Sequence, residues 1–297
     1  MNISIYLKFF GNNLLFSFSI ILISFVLGWL LYDKVVTRGI SLRDALFEKD
    51  NPAAWIEFIG AFIFPALYLG AKAIEGSANE DILLDLGICM AYAVVFVILL
   101  SVLRIVSGAV VKSISLEDQD GKINLNNEIF NQRNISASLF STALSTIFVS
   151  MIRFLDILPQ YLTVSLLKVS VVLIFSLVAV AVYCMVLRYR TALLKEIFVD
   201  NNTATGVSFL GFVFGVETIL SGAVTLQAEF SLIDLAASSL VSLAAFGLLS
   251  LIFKILFSAI VKVDIWLDVY EHNSIGAAIG QSALYIGIAN VIIHFLK

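Results

Sequence analysis

The chain has 297 residues, 60% of them hydrophobic and only 13% charged, with a net charge of −4 and a mean hydropathy of +1.02. Soluble domains carry close to a quarter charged residues, so a soluble globular protein is excluded, and the small negative charge gives no sign of a nucleic-acid partner. A transmembrane β-barrel is excluded as well. Its strands of about ten residues alternate in polarity, whereas runs such as VVLIFSLVAVAVYCMV (171–186) do not.

What remains is an all-α, polytopic protein whose partner is the lipid bilayer, because a helix satisfies its own backbone in hydrocarbon. Apolar windows of about 20 residues, enough to cross a hydrocarbon core of ~30 Å, predict eight transmembrane helices. They fall at residues 12–32, 52–74, 82–104, 135–155, 161–187, 203–225, 233–257 and 274–296. The first is too long for the apolar part of a leader, and no small-x-small cleavage site follows it, so it reads as a retained span.

The loops alternate in charge. Thirteen of the 18 Lys and Arg residues lie in or beside the loops after spans 1, 3, 5 and 7. Four (Lys8, Lys72, Arg153 and Lys297) fall on the other side, and Lys168 lies within a span. By the positive-inside rule, both termini are expected outside the cytosol. Arg104 and Lys254, at the inner ends of spans 3 and 7, are expected to snorkel to the headgroups.

Each charged loop closes on a recurring stretch: LFEKDNPAAW (46–55), IFNQRNISAS (129–138), IFVDNNTATG (197–206) and VYEHNSIGAA (269–278). Anchored on Asn51, Asn134, Asn202 and Asn273, each runs from an apolar residue, through polar residues, into a small-residue helix start. Recurrence at fixed pattern indicates a repeated structural unit. Asn51 and Asn202 are 151 residues apart, and Arg104 and Lys254 are 150 apart within similar stretches, RIVSGAVVK and KILFSAIVK. Asn134 and Asn273 are 139 apart, so the first half carries about 11 extra residues, which the polar stretch 115–128 (SLEDQDGKINLNNE) can hold. The expected architecture is two parallel four-helix repeats, residues 1–157 and 158–297, each made of two helix hairpins. This gives a pseudo-fourfold array whose four Asn residues lie on the cytosolic side.

The hairpin pattern, a charged approach ending in N-x-A-A or N-x-x-A before a glycine-dotted helix, resembles the YjfL-type family of uncharacterised bacterial inner-membrane proteins, catalogued as domain of unknown function 350. The best matches are Glu196-Ile197 followed by Asn202-Thr203-Ala204, and Val269 followed by Asn273 to Ala278; Pro52 departs from the pattern. The resemblance spans the chain as two copies and implies a bacterial inner membrane and no settled activity. It also implies stress-response membrane-binding proteins and ATP-grasp ligases as neighbours.

Two roles stay open for the four Asn residues. Asn caps the free N–H groups of a helix start, and four amides around one axis would instead form a cytosolic pore mouth. Gly211-x-x-x-Gly215 and Gly276-x-x-x-Gly280 permit close helix packing. Ionisable groups within spans face a cavity or a partner, which makes Glu57, Lys168 and Glu217 the candidate pore or coupling residues, with an ion pair between Glu217 and Lys168 open at similar depth. His294 reads as interfacial. Catalytic, cofactor-binding and metal-ligating motifs are not seen: His272 and His294 fall on opposite sides, and Cys89 and Cys184 lie inside apolar runs. The expectation is a homo-oligomeric channel or passive permeation protein, such as a membrane-depolarising effector controlled by a cytosolic partner. The alternative is a non-conducting scaffold that recruits cytosolic stress-response or ligase proteins through residues 115–128.

Overall fold

The computed structural model describes residues 3–75, 82–113, 123–155, 159–188, 192–225 and 231–296. Among them, eight helices are long and apolar enough to cross a membrane: span 1 (Leu14–Val36), span 2 (Pro52–Ala71), span 3 (Leu83–Ser113), span 4 (Ile135–Ile152), span 5 (Leu162–Leu187), span 6 (Thr203–Thr225), span 7 (Leu232–Val261) and span 8 (Ile275–Phe295). Span 3 runs nine residues past the expected end, and Arg104 within it is buried in the protein.

The even-numbered spans form a row in which 2 packs on 4, 4 on 6 and 6 on 8. The odd-numbered spans flank this row and leave most of their surface to lipid; span 1, for example, meets span 3 through Phe16, Ile20, Cys89 and Ala93. Small residues let the row close up, as expected where helix association relies on close backbone approach. A Cβ on Gly60 would meet the Thr142 side chain at 3.1 Å, and one on Gly206 would meet Ser136 Oγ at 2.9 Å. Serine hydroxyls then bond across to backbone carbonyls: Ser138 Oγ to Ala53 O (2.8 Å), Ser145 Oγ to Ala61 O (2.6 Å), Ser136 Oγ to Asn202 O (2.8 Å) and Ser282 Oγ to Val207 O (2.9 Å). The array is therefore a row rather than a ring around one axis.

The two glycine pairs differ. Gly211 lies against Ser282, and Gly215 against Phe246 and Tyr285. Gly276 and Gly280 have nothing within 4 Å of where a Cβ would stand. Expected to pack, the second pair faces outward from the end of the row.

Between the two spans of each hairpin lies a short helix: Asp44–Glu48, Asn127–Asn131, Leu193–Phe198 and Ile265–Tyr270. Only the end of the 115–128 stretch is described. There Ile123 and Leu125 are buried, and Asn126 Nδ2 donates to Val36 O at 2.9 Å. The partner surface expected at residues 115–128 thus lies largely outside the described residues.

Candidate functional site

The repeated motif is a double-ended clip. In the first three units the Asn Oδ1 accepts from the start of its own span: Asn51 from Ala53 N and Ala54 N (3.0 and 3.2 Å), Asn134 from Ala137 N (3.0 Å), Asn202 from Thr205 N (2.9 Å). The Nδ2 of the same residue donates to the end of the next unit's short helix. Asn51 reaches Ile129 O and Phe130 O (2.9 and 3.2 Å), Asn134 reaches Ile197 O (2.9 Å), and Asn202 reaches Val269 O and Tyr270 O (3.3 and 2.9 Å). Each amide spends its acceptor on its own helix start and its donor on carbonyls left open at a neighbouring helix end. All three are buried, so they join units rather than line a mouth.

The fourth unit corrects the register. The backbone N–H of Asn51, Asn134 and Asn202 bonds the carbonyl six residues back, and the residue with this bond in unit 4 is Ser274, to Asp268 O at 2.8 Å. The left-handed residue just before the cap is Asp50, Arg133 and Asn201 in the first three units, and Asn273 in the fourth. Asn273 therefore does not cap span 8; Ser274 Oγ does, accepting from Ala277 N at 3.4 Å. Asn273 Oδ1 instead accepts from Ala204 N at the start of span 6 (2.9 Å). With Ser274 as anchor, the fifth residue back is aliphatic in every unit (Leu46, Ile129, Ile197, Val269) and the fourth aromatic (Phe47, Phe130, Phe198, Tyr270). Serine caps but is too short to clip, and among the described residues no fifth unit stands beyond it. At the other end of the row, Leu46 O, which no preceding Asn reaches, accepts from Trp55 Nε1 at 3.1 Å.

Near the capped end, span 2 leaves α-helical geometry for a π-helix over Glu57–Ile63. Such segments recur at functional sites. Glu57 is fully buried rather than hydrated at an interface. Its Oε1 accepts from Tyr32 Oη (3.0 Å), Ser141 Oγ (3.0 Å) and Arg104 Nε. Arg104, expected to snorkel, is buried and also donates through Nη2 to Asn126 Oδ1 at 3.0 Å. The second half repeats the layout with Ser208 where the first has the Glu57 carboxylate. Tyr183 meets Ser208, which donates to Gln281 Oε1 at 3.0 Å, and Lys254 lies over the Trp266 ring, 4.1 Å from its centroid. Tyr183 and Tyr270 also share a hydrogen bond.

Glu217 does not pair with Lys168. Its Oε1 accepts from Ser176 Oγ at 2.6 Å, and its Oε2 has no hydrogen-bond partner among the described residues. Lys168 is half-buried on span 5 and is not among the residues that line the cavity beside Glu217. Glu217 instead forms part of the wall of a cavity of about 360 Å³ between spans 2, 4 and 6, at the end away from the caps. Gly60 marks its inner limit on span 2. Arg153, at the last turn of span 4, stands at the opposite end, its guanidinium over Phe154 and Tyr68 at 5.0 and 5.8 Å. This cavity was not legible in sequence. Its only trace there is the presence of Glu217 and Arg153 in or beside apolar runs.

The fold and its clips define a polytopic helical membrane protein built as two tandem four-helix copies. The chain belongs to the family described as Domain of Unknown Function (DUF350), whose model matches residues 5–154 and again 153–296. No curated protein and no solved structure matches it.

Proposed function

We propose that this protein is a permeation protein that admits a small solute through the cavity between spans 2, 4 and 6. The observation that carries the reading is Glu217. A carboxylate in the membrane interior is costly unless it serves a partner or a path, and this residue lines a cavity while its buried Oε2 has no hydrogen-bond partner among the described residues. A second buried carboxylate, Glu57, lies one turn deeper than Gly60 and also has an unused oxygen, Oε2. Between the two acids the Gly60–Thr142 contact closes the way. The described conformation thus fits a closed path, open from one end as far as Gly60.

Passage requires spans 2 and 4 to separate at that contact, and the π-helical segment of span 2 supplies the slack. The test is flux or conductance in liposomes reconstituted with the purified protein. Wild-type activity reduced at least tenfold by Glu217→Gln is the expected result. A correctly folded protein that passes no solute under any tested potential or gradient would overturn the reading.

A further inference from the structure

Part of the cavity wall is one-sided in its hydrogen-bonding chemistry. Thr146 Oγ1 donates to Thr142 O (2.9 Å) and Thr218 Oγ1 to Phe214 O (2.7 Å). A hydroxyl has one proton, so each of these wall threonines can only accept a further bond. Glu217, 3% exposed, adds a carboxyl group whose Oε2 is buried with no hydrogen-bond partner among the described residues. The part of the cavity around Glu217, Thr146 and Thr218 therefore offers acceptors and suits a ligand that donates several N–H bonds.

The outer part is the reverse. Arg153 lies one helical turn beyond Ser150, a neighbour of Glu217 in the wall, or about 4.5 Å along span 4 at 1.5 Å per residue. No carboxylate is paired with it among the described residues. A bare metal cation is disfavoured here, because a guanidinium stands at the mouth and Phe64, Pro65, Val149 and Phe214 bring no side-chain ligand. The volume is at the lower end of the roughly 300–1,000 Å³ of small-molecule sites.

Taking this cavity as the solute's entry site, as proposed above, we infer that it binds a small zwitterion of amino-acid size. The ammonium is held by Glu217 and the threonine oxygens, the carboxylate by Arg153, and any aliphatic remainder lies against Phe64 and Phe214. The charged hydrogen bonds supply the affinity; the spacing of Glu217 and Arg153 supplies the selection.

Binding to the full chain in lipid nanodiscs, measured by calorimetry, tests this with glycine, L-alanine and L-leucine and two truncated probes. 3-Methylbutylamine is leucine without its carboxylate, and 4-methylpentanoate is leucine without its amine. At least one amino acid should bind, and more tightly than either truncated probe. Glu217→Gln should weaken binding of that amino acid about tenfold or more. Arg153→Gln should do the same while leaving 3-methylbutylamine unchanged; since Arg153 sits at the rim, that variant keeps the test valid if Glu217→Gln fails to fold. Absence of amino-acid binding, equal binding of 4-methylpentanoate, or displacement of the bound amino acid by sodium or potassium alone would each overturn the inference. Binding without flux would instead leave it standing and overturn the permeation reading, and flux without amino-acid binding would do the opposite.

Discussion

Tyr32 and Tyr183 occupy the same place in the two halves, 151 residues apart, yet one hydroxyl donates to a carboxylate, Glu57, and the other meets a hydroxyl, Ser208. Around them Arg104 answers to Lys254 and Ser141 to Gln281. The duplicated scaffold has thus kept a polar cluster in both halves, with the buried carboxylate Glu57 in the first where the second has Ser208.

That difference predicts an asymmetric response to mutation. Arg104→Ala leaves Glu57 as an uncompensated buried charge and should cost about 3–5 kcal/mol, the usual penalty for breaking a buried pair. Lys254→Ala, which removes a half-buried side chain lying over the Trp266 ring, should cost less, about 1 kcal/mol for the ring contact. The triple change Glu57→Ser, Arg104→Lys and Ser141→Gln, which copies the second half into the first, should be milder than Arg104→Ala alone. Thermal unfolding in nanodiscs orders the three.

The clips make a second prediction. Asn134→Ala removes a cap, at about 0.5–2 kcal/mol, and strands the Ile197 carbonyl, at about 1–3 kcal/mol. Ser274→Ala removes only a long cap bond of 3.4 Å and should cost less than 1 kcal/mol. Equal losses of melting temperature would contradict the double-ended role of the Asn.

Glycines that look alike in sequence should separate on substitution to alanine. At Gly211 the added Cβ would stand 2.3 Å from Ser282 Cβ and 2.5 Å from its Cα, so spans 6 and 8 must part, at about 1–3 kcal/mol or more. At Gly280 it meets nothing, and the change should be neutral or slightly stabilising through helix propensity. Expression level and melting temperature of the purified variants report the contrast.

Glu128 and Glu196, on the short helices outside the spans, carry carboxyls raised above the ordinary value of 4.5 by burial, with Asn134 and Asn202 partly offsetting the rise through their Nδ2 groups. The folded protein therefore binds these two protons more tightly than the unfolded chain does. The resulting stabilisation is full below pH 4.5 and is lost as the pH rises through the raised values. Melting temperature should fall from pH 5 to pH 7, and the Glu128→Gln, Glu196→Gln double variant should flatten that slope. An unchanged slope would show that other groups set it.

Eight spans were legible because hydrocarbon leaves a chain few options, and length and apolarity carry that message directly. The facing of residues within a span was not. Arg104 beside an interface reads as a snorkelling group until its contact with Glu57, 47 residues away, brings it inward. The unit 4 register failed for a local reason: Asn273 holds a left-handed turn, a conformation asparagine tolerates well, and so imitates the capping Asn one position later in the other units. Asn51, Asn134 and Asn202 could be read as caps, but their second hydrogen bond joins residues 63 to 79 positions apart. Motif spacing within a single unit holds no record of that. The cavity depends on how three helices diverge near their ends, which composition does not encode.

The clips also set an order for biosynthesis. Asn51 finds its carbonyls only once Phe130 has been made, Asn134 only after Ile197, and Asn202 only after Val269 and Tyr270. Each of the first three hairpins delivered to the bilayer thus waits with an amide N–H of its Asn unspent until the following hairpin arrives from the ribosome. The row must lock from its N-terminal end like a zip fastener, and a ribosome stalled within the second half would release a protein with one tooth still open.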